Sequence, residues 1–291
     1  MSFGGSHGMR NSVFPSVHNS FNEVEDQTQD ESSSHYTYPT TTIESLSDSF
    51  PYPTEEDDHC ESPLEAYQHI APLLQELASL LEKTPKTLSL YDPYYCNGSV
   101  KERLQSLGFP TVHHEKQDCY EVWKTGDGLP DFDVLVTNPP YSSNHMERMM
   151  QFVTAKTTSA PRTSPSATMA WFMLAPQFLH KKDCYVQSLD QGYRSPITPF
   201  YLVPKNRYIY EPPKGFREKK ESGTHKKSSP FISMWYIWAG TAERTNKLIQ
   251  FFYKQTKSTK NRSIMAECDL ARSKSALRDL RRKPNTGGNA K

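Results

Sequence analysis

Five cysteines in 291 residues, odd in number and scattered as Cys60, Cys96, Cys119, Cys184 and Cys268, make neither a disulfide framework nor a thiolate metal spacing. Structural zinc is therefore not expected. Uninterrupted apolar runs are absent too, and a membrane-spanning helix needs ~20 such residues. Met1-Ser2-Phe3-Gly4-Gly5 lacks the apolar core of a signal peptide. These absences predict an intracellular chain, nuclear or cytoplasmic, with no membrane partner. Apolar residues amount to only 35% and the mean hydropathy is −0.75, too little to pack the whole length.

Cations are nearly missing from one end. Residues 1–62 hold twelve acids against Arg10 alone, whereas the remainder carries a net charge of +12. An acidic tail on a basic body implies a polyanionic partner for the body, or simply a solvated tail on a basic domain. Residues 1–61, rich in Ser, Thr, Asp and Glu without an apolar period, read as a disordered tail. Residues 62–253 read as one folded domain. Residues 254–291, with eleven basic and three acidic side chains, read as a second tail, disordered or partly helical.

Within the domain, strand and helix patterns alternate. Ser62, Pro63 and Glu65 form a helix start in which Ser62 caps, and Leu73, Leu74, Leu77, Leu80 and Leu81 follow at helical spacing. Pro72 is expected to divide or kink that helix. Strands are predicted at 87–91, 111–114, 132–137 and 169–174, with helices at 100–107 and 145–153. This order implies a parallel sheet covered by helices on both faces. Strands at 200–203, 208–210 and 231–238 predict an antiparallel pair at the sheet edge, and 245–253 a last helix.

Two motifs sit at strand ends. Asp92-Pro93-Tyr94-Tyr95-Cys96-Asn97-Gly98 follows the first strand and precedes a helix. Open α/β sheets bind ligands beyond the carboxyl ends of their strands, and a glycine there lets backbone N–H groups approach one. Read alone, the segment also fits an ordinary strand-to-helix corner. Asn138-Pro139-Pro140-Tyr141 follows the strand ending at Thr137. An exocyclic amino group is a poor nucleophile because its lone pair is delocalised. Two acceptors for its hydrogens, the Asn138 side-chain oxygen and the Pro139 carbonyl, would aim that lone pair. Pro139 and Pro140 stiffen the strand end, and the ring of Tyr141 offers a stacking face for a planar target.

These residues resemble the class I, Rossmann-like S-adenosylmethionine-dependent methyltransferases with an Asn-Pro-Pro-Tyr/Phe motif. That family includes adenine-N6 methyltransferases of DNA and RNA, guanine-N2 methyltransferases of ribosomal RNA and glutamine methyltransferases acting on release factors. The resemblance covers about residues 85–253. It implies an α/β fold: a Rossmann-like, seven-stranded, mostly parallel sheet with an antiparallel edge pair, helices on both faces, and disordered tails. It assigns catalysis to Asn138, Pro139, Pro140 and Tyr141. S-adenosylmethionine would contact Asp92, Pro93, Tyr94, Cys96 and Gly98, with an acid after the second strand, Glu115 or Asp118, beside Cys119. Asp118 is the preferred acid of the two.

A basic excursion of Lys214, Arg217, Lys219, Lys220, Lys226 and Lys227, flanked by Arg207, Tyr208 and Tyr210, mixes cations with aromatics. That suits phosphate contact with base stacking, RNA being favoured over DNA; a solvated loop is the other reading. A protein glutamine methyltransferase and a catalytically silent RNA-binding module are the rival functions. An activating protein subunit stays open.

Overall fold

The computed structural model describes residues 51–52, 58, 60–159, 169–190, 197–210, 232–257 and 263–282. Seven strands form one sheet in the order β2-β1-β3-β4-β6-β5-β7. They are β1 (Leu90–Tyr91), β2 (Val112–His113), β3 (Val134–Thr137), β4 (Ala170–Pro176), β5 (Phe200–Pro204), β6 (Ser233–Trp238) and β7 (Cys268–Ala271). β1 pairs in parallel with both β2 and β3, and β3 with β4. β6 lies antiparallel between β4 and β5, and β7 antiparallel to β5. The fold is α/β and Rossmann-like, mostly parallel, as the alternation of elements implied.

Period-two alternation divides the strand side chains between two cores. Val134, Val136, Phe172, Leu174, Trp235 and Ile237 face one side. There they meet α1 (Leu64–Leu80), α2 (Ser99–Ser106) and α6 (Ala242–Lys257). Leu135, Trp171, Met173, Met234, Tyr236 and Trp238 face the other. That side is covered by α3 (Cys119–Thr125), α4 (His145–Ser159), α5 (Asp183–Asp190) and α7 (Lys274–Arg282). Strands buried on both faces carry nearly continuous apolar runs, which is why β4 and β6 are conspicuous in sequence.

Several finer expectations meet a different outcome. Antiparallel strands do occupy one end of the sheet, where β6, all six of its residues buried, pairs with β4 along its full length. The edge strand is β7, from the segment expected to be a tail, preceded by a 3₁₀ turn at Ile264–Glu267. Residues 208–210 are not a strand. Ser62 makes no capping bond to α1, which runs through Pro72 without a break; its hydroxyl is used elsewhere. α3 and α5, seven and eight residues long, were not expected from the sequence.

The C-terminal segment therefore belongs to the cooperative unit. Met265 is fully buried beside α1. Met265→Ala is expected to lower unfolding stability by about 2–5 kcal/mol in a urea titration, the usual cost of a methionine-sized core cavity. A change below ~0.5 kcal/mol would place this segment outside the folded unit.

Candidate active site

The chain order of the sheet reverses beside β1: β2 lies on one side of it and β3 on the other. Ligands of open α/β sheets bind at such a switch point. Asp92 follows the last residue of β1, and Asn138 the last residue of β3. The two motifs recognised in sequence are thus neighbours in space.

Asp92 is 2% exposed. Its Oδ1 accepts hydrogen bonds from Thr137 Oγ1 at 2.6 Å and from the Tyr94 N–H at 3.3 Å. His114 Nδ1 stands 3.5 Å from Oδ2. Burial pushes the carboxyl up to about 6, against the opposing influence of His114 and the Thr137 hydroxyl. Thr137 directly precedes Asn138, so a single bond links the first motif to the second.

The loop after Asp92 is shaped by Gly98, whose φ of +84° is costly for any other residue. A Cβ there would also lie 2.6 Å from the Tyr95 hydroxyl. The Tyr95 ring in turn stacks on His114, centroids 4.9 Å apart. Pro93 and Tyr94 are buried, and Tyr94 joins Tyr120, Trp123 and His145 in an aromatic wall. Burial pushes the Cys96 thiol up to about 12 and raises that of Cys119, so both are protonated packing groups. The two candidate acids differ. Glu115 is open to solvent, with Lys101 Nζ at 3.4 Å. Asp118, the preferred one, caps α3 instead: its Oδ1 accepts from the N–H groups of Tyr120 at 2.9 Å and Glu121 at 3.4 Å.

Both ends of the Asn138 amide are held. Its Nδ2 donates to Ser62 Oγ at 2.9 Å, and its Oδ1 accepts from the Tyr141 hydroxyl at 2.8 Å. Pro139 and Pro140 are buried. Tyr141 is half-buried, with Tyr210 and Ser233 hydroxyls each 3.4 Å from its own. Stacking was expected to use only its ring; the hydroxyl positions Asn138.

Sequence reasoning missed a group from the acidic segment. Asp58 Oδ1 accepts from the backbone N–H groups of Tyr141 (3.0 Å) and Ser142 (3.3 Å), and Oδ2 from the Ser142 hydroxyl. Glu61, 6% exposed, accepts from Asn97 N–H at 2.6 Å and from the Ser99 hydroxyl, at the head of α2. Tyr52 packs edge-on against Tyr94, Tyr120 and His145. No periodicity marks these residues; only the Ser62-Pro63 helix start lies close enough to hint at them.

The expected substrate surface is only partly in view. Arg207 is exposed. Tyr208 is corrected: it is 3% exposed in the core under α1, its hydroxyl 2.8 Å from His69 Nδ1, and so offers no stacking face. Lys214, Arg217, Lys219, Lys220, Lys226 and Lys227 lie outside the described residues.

A carboxyl raised from 3.8 to about 6 by folding contributes stability that is fully present below pH 4 and is lost as pH rises through 6. Asp92→Asn keeps the acceptor for Thr137 and removes that loss. Its stability advantage over the parent should grow between pH 4 and 6 to about 3 kcal/mol and then level off. Denaturation curves at several pH values give the answer, and a pH-independent difference would show that Asp92 ionises as freely as in water.

The chain matches no protein-family model and no curated protein, so its chemistry rests on this geometry and on the resemblance of its two motifs.

Proposed function

We propose that the protein is an S-adenosylmethionine-dependent methyltransferase acting on an exocyclic amino group of nucleic acid, foremost adenine N6 in RNA. The observation that carries this is the juxtaposition at the switch point. A buried carboxylate closes β1, an Asn-Pro-Pro-Tyr corner closes β3, and the Thr137–Asp92 bond joins them.

The residues fit the donor. The loop at the head of α2 already accommodates a carboxylate, that of Glu61, on the Asn97 N–H and Ser99 hydroxyl. An amino-acid carboxylate has the same chemistry. Asp92 is an anion suited to a cationic ligand, and Tyr94 and Tyr120 form an apolar wall suited to a planar one. The chemistry that S-adenosylmethionine supplies when bound is a methyl carbon on cationic sulfur, which a nitrogen lone pair captures as the carbon–sulfur bond breaks toward sulfur.

The chain's own residues prepare the nitrogen. Ser62 holds Asn138 Nδ2, which fixes the amide so that Oδ1 is its accepting end. Oδ1 can accept a target N–H once the Tyr141 hydroxyl yields or shares it. The Pro139 carbonyl is the second acceptor. Burial raises the Tyr141 phenol well above its ordinary pKa, which keeps it a donor. The methylated nitrogen sheds its proton to solvent.

Transfer of a labelled methyl group to RNA, DNA and protein pools tests this. RNA is expected to take up label, and Asn138→Ala to slow uptake by ~10²–10³-fold with donor affinity little changed. Ser62→Ala should lower kcat by about tenfold without raising KM, because misorientation of the amide costs alignment rather than binding. Label in protein alone would transfer the site to glutamine chemistry. No label in any pool, with donor binding absent by calorimetry, would leave a silent binding module.

The body's net charge of +12 outside residues 1–62 supports the nucleic-acid partner. Changing Lys219, Lys220, Lys226 and Lys227 to Glu should raise KM for an oligoribonucleotide and flatten its salt dependence, by roughly 0.7 in log–log slope for each phosphate no longer neutralised. Donor affinity should not move. An unchanged salt slope would remove these lysines from the interface.

A further inference from the structure

Among the described residues, one group of metal-ligating side chains lies away from the switch point: Glu65 and His69 on α1 and Glu267 at the end of the 3₁₀ turn before β7. Their ligand atoms all lie within 4.8 Å of one another. Glu65 and His69 are four residues apart, which puts them on one face of the helix. Glu267 reaches them because the turn packs on α1.

His69 is what separates this group from an ordinary acidic cluster. It is 1% exposed, and its Nδ1 is bonded to the Tyr208 hydroxyl at 2.8 Å. Its buried Nε2 has no hydrogen-bond partner. That nitrogen stands 3.5 Å from Glu267 Oε2 and 3.9 Å from Glu65 Oε1, both beyond the 2.7–3.2 Å of a formed N–H···O bond. Burial, the largest influence, lowers the imidazole pKa against the raising effect of the two carboxylates. Lys205, whose backbone N–H bonds the Glu267 carbonyl, directs its ammonium to the Ala266 carbonyl at 2.7 Å.

We propose that Glu65, His69 and Glu267 form a binding site for a first-row divalent cation such as Zn²⁺, which would tie the β7 segment to α1. Zinc bonds of about 2.0–2.2 Å to nitrogen and oxygen place ligand atoms roughly 3.3–3.6 Å apart in a tetrahedron. The 3.5 Å separation falls in that range, and the 3.9 Å one needs only a small shift of Glu65, whose side chain is 40% exposed. One imidazole and two carboxylates leave a fourth position for water. The Tyr208 bond to Nδ1 is the outer contact that metal-bound histidines usually have. The set contains no cysteine, and its third member lies about two hundred residues from the other two, so no local spacing reveals it. The site is independent of the proposed methyl transfer.

Titration of the full-length, metal-stripped chain with Zn²⁺ tests the site, with the Glu65→Gln/Glu267→Gln double variant as comparison. Both substitutions keep side-chain shape at partly exposed positions, and unfolding without metal checks that the variant is folded. The parent is expected to bind one Zn²⁺ equivalent more than the variant and to unfold at higher temperature with Zn²⁺ present, a shift the variant lacks. Tyr208→Phe should keep that equivalent but weaken it by about 10–100-fold. Co²⁺ in its place should give a tetrahedral spectrum without thiolate charge transfer, which separates this site from metal held by cysteines. Equal stoichiometry and equal thermal shifts in parent and double variant would overturn the proposal.

Discussion

A carboxylate removed from water must be compensated locally or it takes up a proton, and Asp92 is where this chain meets that constraint. Its partial compensation comes from the Thr137 hydroxyl, the Tyr94 N–H and His114, which belong to β3, the loop after β1 and the end of β2. Three elements of the sheet therefore converge on one side chain. Because Thr137 also starts the Asn-Pro-Pro-Tyr corner, whatever fixes the carboxylate fixes the direction in which Asn138 leaves the strand. The compensation is incomplete, and burial holds the Asp92 carboxyl above its ordinary pKa.

The same corner is held from outside by the segment before α1. Asp58 accepts the backbone N–H groups of Tyr141 and Ser142, just after the two prolines, and Ser62 takes one end of the Asn138 amide. Glu61 accepts the Asn97 N–H and the Ser99 hydroxyl at the head of α2. A stretch of high negative charge thus contributes two carboxylates and a hydroxyl to the walls of the site. Residues 1–50, 53–57 and 59 lie outside the described residues.

The sheet was legible because β3, β4 and β6 are apolar on both faces, and burial on both faces leaves unbroken runs such as Ala170–Pro176. The motifs were legible because proline and glycine are needed for conformation there, as at Gly98. Bonds made by ordinary polar residues across long separations were not. Nothing local marks Ser62 as the partner of a residue 76 positions away, or Tyr208 as the partner of His69 rather than of a substrate. β7 was hidden differently: Cys268, Asp269, Leu270 and Ala271 are buried only at the two ends, and their charged surroundings resemble those of a tail.

The place of β7 bears on how the chain acquires its structure during synthesis. β5 pairs with β6 on one side, and among the described residues its other side is covered by Cys268–Ala271. Until those residues have emerged and docked, Tyr201, Leu202, Val203 and Pro204 form an open sheet margin, a template for pairing with another chain. Nascent protein is thus most prone to misassociation in the interval between completion of β6 and arrival of β7. Shielding of that margin by a chaperone would matter most in that interval.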